Sequence, residues 1–331
     1  MFVTRNIPKV GLELLEAKCQ VNLWPDEFPP SKDKIIENIK GEDALLCMLS
    51  DKIDAEVMDA APSLKVITTF SVGYDHISIP EATKRGIYVT YTPGVLTDAT
   101  ADFTWTLILA IARRIVEYDK FLREGKWKIG WSPTFMLGRD VHGKTIGIVG
   151  LGRIGSAVAK RARGFGMKIL YHNTKQSPEQ EKVLGAEYRS LEDLLKESHI
   201  VSLHVPLNDS TRNLIGAKQL KLMKQTAFLI NTSRGAVIDE AALVKALQEK
   251  WIGGAALDVF PKEPIDANNP LLKLDNVVLA PHMASAGFET RYKMAEITAQ
   301  DLLAVLSGKE PLYLVNPDVQ KVKPLSEVKI L

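Results

Sequence analysis

The chain has 331 residues, 46% of them hydrophobic and 25% charged, a balance that excludes disorder and collagen-like repeats and leaves room for two domain-sized cores. Forty-two Lys plus Arg against forty Asp plus Glu leave a formal charge of +2, too little to draw nucleic acid or anionic lipid by a general field. Any bound anion must be held by a local site. Cys19 and Cys47 allow one bridge at most and form no zinc-type cluster, so the expectation is a reduced, cytoplasmic protein without a metal site.

Chain order begins with a strand-like Phe2-Val3-Thr4 and no basic leader, so no signal peptide is expected. Short apolar runs near Val3, Val21, 44–49, 66–70 and 88–90 read as strands, and 8–18, 31–39, 54–60 and 79–84 have the polar starts and spacing of helices. That alternation predicts a parallel sheet with crossover helices. A helix over 98–114, apolar on nearly every side in its middle, reads as buried and as the bridge to a second unit. Residues 125–143, rich in Gly and carrying Trp127, Trp131, Phe135 and Met136, have no period. They read either as an irregular loop packed on their own domain or as an arm reaching a partner subunit.

Strands are predicted again at 145–149, 168–172, 200–205, 227–230, 255–259 and 277–280, with helices between them such as 190–197 and 239–250. Six strands with helical crossovers predict a second doubly wound sheet. A last helix over 290–307 and a polar tail follow. The longest uncharged stretch, 276–288, contains Pro281 and falls short of the ~20 apolar residues a membrane helix requires, so no membrane partner is expected. The tripeptides at Asn208 and Asn231 that match a glycosylation pattern carry little weight without secretion.

Gly150-Leu151-Gly152-Arg153-Ile154-Gly155 lies directly after one predicted strand and directly before a helix. Glycines there permit a tight turn and the close approach of a pyrophosphate, while the helix start supplies free N–H groups and a positive dipole end. The fingerprint predicts an acidic residue at the end of the next strand, yet that strand ends in Asn173-Thr174-Lys175. A neutral amide, a hydroxyl and a cation accept a 2′-phosphate where a carboxylate would repel it. NADP(H) is therefore favoured, and NAD(H) stays open.

Arg234, Glu263 and His282 each follow a predicted strand of this second unit, at the end where open α/β sheets bind ligands. Singly, each has a structural reading. Together they are a guanidinium, a carboxylate and an imidazole beside a dinucleotide site, a set complete for carbonyl reduction.

With the Gly150 turn, Asn231-Thr232-Ser233-Arg234-Gly235, the Asp258-to-Pro264 segment containing Glu263, and Pro281-His282 followed by Ser285, the sequence resembles the D-isomer-specific 2-hydroxyacid dehydrogenase family over nearly its whole length. Within that family it is most similar to glyoxylate and hydroxypyruvate reductases. The departure is Asn173, where NAD-dependent members have Asp.

The resemblance implies an α/β fold of two doubly wound parallel-sheet domains with an interdomain cleft. Residues 1–98 and 288–331 would form a flavodoxin-like substrate domain, and 99–287 a Rossmann cofactor domain. It implies that Arg234 holds the substrate carboxylate, that His282 is the general acid, and that Glu263 orients the imidazole and favours its charged form. It places cofactor contacts on Thr100, Gly150, Gly152, Arg153, Ile154, Gly155, Asn173, Thr174, Lys175, Val205, Pro206, Thr211, Thr232, Ser233, Asp258 and Ala284. Substrate contacts fall on Leu49, Val72, Gly73, Trp131 and Ser285, and His76 keeps a candidacy beside the 71–76 loop. A small 2-oxo acid substrate and a homodimer with a 121–135 arm are implied as well. A D-3-phosphoglycerate or D-lactate dehydrogenase, a reductase of a larger apolar 2-oxo acid, and a dinucleotide-sensing protein similar to corepressors remain alternatives.

Overall fold

In the computed structural model, which describes residues 1–331, Met1–Leu96 with Ala286–Leu331 form one unit and Thr97–Ser285 a second. The first unit carries β1 (Phe2–Val3), β2 (Asn22–Leu23), β3 (Ala44–Cys47), β4 (Val66–Thr69) and β5 (Tyr88–Thr90), all parallel, in the order β2-β1-β3-β4-β5. β3 to β5 are buried throughout, because crossover helices cover a parallel sheet on both faces. Ile35, Ile39, Val57 and Met58 pack from the helices onto Leu45, Ile67 and Val89. Burying each of these large apolar side chains contributes roughly 1.5–3 kcal/mol. The closing helix, Phe288–Leu306, lies against the Lys9–Glu16 helix and β4, so this unit is assembled from both ends of the chain.

The second unit carries β6 (Thr145–Val149), β7 (Lys168–His172), β8 (Ala186–Tyr188), β9 (Ile200–Leu203), β10 (Phe228–Asn231), β11 (Gly254–Leu257) and β12 (Val277–Leu279). They form one parallel sheet in the order β12-β11-β10-β9-β6-β7-β8. The order reverses between β6 and β9, which opens a ligand crevice at the carboxyl ends of those two strands. The sheet has seven strands where six were predicted. β8 escaped because Ala186-Glu187-Tyr188 is a three-residue edge strand without an apolar run.

The Thr97–Ala112 helix buries Thr100, Ala101, Trp105 and Ile108 against the sheet and against the Arg153–Ala162 helix. Arg161 joins these two helices through Asp102 at 2.7 Å and Asp98 at 3.0 Å. A further helix, Ile115–Arg123, was not foreseen, and it buries none of its residues. Residues 125–143 contain neither helix nor strand, and no helix of the chain is long and apolar enough to cross a membrane.

Candidate active site

β6 ends at Val149 and the chain turns at once through Gly150, whose φ of +99° and whose neighbours both forbid a side chain. A Cβ there would lie 2.7 Å from the backbone carbon of His204. Asn173, at the end of β7, accepts the Leu151 N–H on its Oδ1 at 2.7 Å and so ties the turn to the neighbouring strand. The Arg153–Ala162 helix then starts at Gly152 with no side chain capping its first turn, so its N–H groups and dipole end suit an anion. These features fit a dinucleotide pyrophosphate.

Beyond the turn, the Asn173 amide nitrogen, Thr174, Lys175 and Arg153 offer donors, with Thr174, Lys175 and Arg153 exposed. Tyr171 accepts the Ser177 N–H at 2.8 Å and donates to Glu181 at 2.6 Å, which holds the intervening loop. His204 shares a hydrogen bond with Ser202 at 2.8 Å. Burial pushes its imidazole down to about 3, so it is neutral and adds no charge. After β9, Thr211 donates to the Pro206 carbonyl at 2.6 Å and fixes the loop that begins with Val205. Thr232 shares a 2.9 Å hydrogen bond with Thr104, which donates to the Thr100 carbonyl.

Three strand-end loops build the polar constellation. After β10, buried Asn231 accepts the N–H and hydroxyl of Ser233 at 3.0 and 2.8 Å and donates to the Arg234 carbonyl at 2.9 Å, a local turn that sets Arg234. Gly235 follows, and a Cβ on it would sit 1.9 Å from the Phe260 carbonyl carbon, so only glycine lets this loop rest on the one after β11. In that second loop Glu263 Oε1 accepts the Phe260 N–H at 2.9 Å, while Oε2 faces His282 Nδ1 at 2.7 Å. Burial pushes the Glu263 carboxyl upward. The His282 hydrogen bond and charge, the Phe260 N–H and the Arg234 guanidinium outweigh it and hold the group below the usual carboxylate range.

An ionised carboxylate only accepts, so His282 carries a proton on Nδ1, and Nε2 lies on the ring edge away from Glu263. The His282 backbone is left-handed, with φ +57°. Asp258 holds that conformation by capturing three successive N–H groups. Its carbonyl takes His282 at 2.8 Å, and its carboxylate oxygens take Met283 and Ala284 at 2.7 and 2.8 Å. Burial raises the Asp258 carboxyl above its ordinary value, and the two N–H groups oppose that rise.

The structure thus brings Arg234, Glu263 and His282 onto adjoining loops of the second unit, with Ser285 half-buried three residues beyond His282. Sequence reasoning missed the supports: Asn231, Gly235 and the clamp formed by Asp258. The polar Asn-Thr-Ser before Arg234 was the available signal for the first. Leu49, Val72 and Gly73 belong to the first unit. There the Ser71 hydroxyl donates to the Gly73 carbonyl at 2.5 Å, and His76 Nε2 lies 3.0 Å from the Thr69 hydroxyl, bracing the 71–76 loop. Trp131 is 89% exposed.

The model of the D-isomer specific 2-hydroxyacid dehydrogenase NAD binding domain matches residues 105–284. A glyoxylate reductase of Korarchaeum cryptofilum is 58% identical over 98% of this chain and 98% of its own length. One of Thermofilum pendens is 57% identical over 100% of this chain and 98% of its own. Among solved structures, an NADPH-dependent glyoxylate/hydroxypyruvate reductase of Sinorhizobium meliloti, in complex with NADP and malonate, superposes with a TM-score of 0.85 at 33% identity, covering 96% of each chain. With the dinucleotide turn and the three strand-end loops in place, the chain belongs to the D-isomer specific 2-hydroxyacid dehydrogenase family.

Proposed function

We propose that the protein is an NADPH-dependent reductase of glyoxylate, hydroxypyruvate and similar small 2-oxo acids, converting each to its 2-hydroxy acid. The observation that carries this reading is the 2.7 Å contact of His282 Nδ1 with Glu263, in a loop cluster where the Arg234 charge acts on the same carboxylate. The relatives named glyoxylate reductase support the substrate class.

Arg234 offers the substrate carboxylate a fork of donors that Lys cannot reproduce. His282 gives the Nε2 proton to the carbonyl oxygen, and Glu263 stabilises the imidazole through Nδ1 while that proton is held. Asp258 keeps the imidazole-bearing turn in position. The nicotinamide, when bound, supplies the hydride that reduces the carbonyl carbon. Residues at the Gly150 turn, with Thr232, Ser233 and Ala284, are assigned to holding the cofactor. Asn173, Thr174, Lys175 and Arg153 are assigned to the 2′-phosphate, because Asn173 turns its oxygen to Leu151 and keeps its amide NH2 as a donor, with no carboxylate to repel the phosphate.

Loss of absorbance at the NADPH band with glyoxylate tests the reading. Oxidation by wild type and a ~10²-fold lower kcat in His282→Ala, with NADPH binding little changed, are expected. Absence of turnover with every 2-oxo acid would favour a dinucleotide-sensing protein, and a higher kcat/KM for NADH than for NADPH would remove the cofactor assignment.

A further inference from the structure

At the amino ends of the second unit's strands, the end away from Gly150 and Arg234, the chain gathers cations that carbonyl reduction does not use. Lys144 directly precedes β6, His199 directly precedes β9, and Lys224 stands shortly before β10. Arg139, Lys144 and His199 line a cavity of about 340 Å³ together with Thr226 and one carboxylate, Asp140. Lys224 reaches His199 from its side, with Nζ 3.5 Å from Nε2, and donates to the Glu197 carbonyl at 2.6 Å. Arg139, Lys144 and Lys224 form no ion pair, and Asp140 is the one carboxylate lining the cavity.

The histidine sharpens this imbalance. His199 Nδ1 accepts the Thr145 N–H at 3.3 Å, so the neutral ring carries its proton on Nε2 and turns a donor toward the Lys224 ammonium. Burial, with the charges of Lys224 and Lys144 added, keeps the imidazole below the ordinary histidine range, so protonation does not resolve the contact. A donor facing a donor, beside unpaired cations, is resolved by an acceptor that takes hydrogen bonds from both. An oxyanion of tetrahedral shape does this with separate oxygens.

We propose that this cavity is a binding site for a phosphate-class anion, either free phosphate or the phosphoryl group of a small acid. β9 alone spans four residues, about 13 Å at the usual strand rise, so the site lies at the far end of the sheet from the dinucleotide turn. Occupation ties the segments preceding β6, β9 and β10 to one ligand.

The test titrates inorganic phosphate and, separately, 3-phosphoglycerate into the intact protein, following the His199 imidazole resonance by NMR and the heat of binding by calorimetry. A saturable shift of His199 is expected, with affinity reduced about tenfold or more in the Lys144→Gln/Lys224→Gln double variant and 2-oxo acid reduction unchanged. Tighter binding of 3-phosphoglycerate identifies a phosphorylated acid as the occupant, and equal binding identifies free phosphate. An immobile His199 resonance with both anions, or full affinity in the double variant, overturns the proposal. Arg139→Gln, at an exposed position, supplies the same comparison should the double variant misfold.

Discussion

A left-handed backbone costs a residue bearing a Cβ about 1–2 kcal/mol, and His282 adopts one beside its contact with Glu263. Asp258 offsets that cost with three hydrogen bonds to consecutive N–H groups. In Asp258→Asn one of the two carboxylate oxygens becomes an NH2 that opposes the half-buried Met283 N–H or the buried Ala284 N–H. Unfolding free energy in urea should fall by about 1–3 kcal/mol, and kcat should fall with it. Wild-type values for both would show that the turn holds itself.

Glu263 gives a prediction of definite sign. Its folded-state pKa is depressed, so its contribution to stability is present above the unfolded glutamate value of about 4.3 and is lost as pH falls through the lower folded value. Urea unfolding of wild type and Glu263→Gln across that acid window should show the two stabilities converging as pH drops. Curves that stay parallel would contradict the pairing. Arg234, Glu263 and His282 were legible in the sequence because each is a polar residue just beyond an apolar strand. Asp258 was read only as a cofactor residue, because its bonds reach 25 and 26 residues along the chain and no local pattern announces them.

Elements with long apolar runs were readable, and those whose character depends on a neighbour were not. β6, β7 and β10 stand out as Thr145–Val149, Lys168–His172 and Phe228–Asn231, whereas β8 exists only because β7 offers it an edge. The Ile115–Arg123 helix follows closely on Thr97–Ala112 and leaves Ile115, Val116 and Leu122 each more than half exposed, so no inward stripe marked it. Between the Thr97–Ala112 and Arg153–Ala162 helices, Arg161 binds Asp102 and Asp98, both largely exposed. Exposed partners make such pairs weak. Arg161→Ala should therefore cost only about 0.5–1 kcal/mol, and the difference from wild type should shrink when urea unfolding is repeated in high salt. A loss unaffected by salt would mean that the arginine stem's packing dominates.

For the molecule as a whole, the 115–137 segment leaves Ile115, Val116, Leu122, Trp127, Ile129, Trp131 and Leu137 exposed, and large apolar side chains gathered at a surface mark interfaces. We assign it to a second copy of the chain, with Trp131 offered to that copy. Light scattering should give twice the 36.6 kDa chain mass, and a single-chain mass would remove the assignment.

The first unit's strands all precede residue 97, yet the helix that lies against Lys9–Glu16 and β4 arrives only at Phe288–Leu306. A ribosome delivers that helix, and the short tail after it, only once the whole second unit has been made. During synthesis the earlier strands must therefore wait without their cover while the inserted unit already has every strand of its own. Arrested nascent chains long enough to expose residues up to about 285 outside the ribosome should resist protease in the inserted part and be cut in the first ninety residues, and protection of those residues should appear only once the closing helix has emerged.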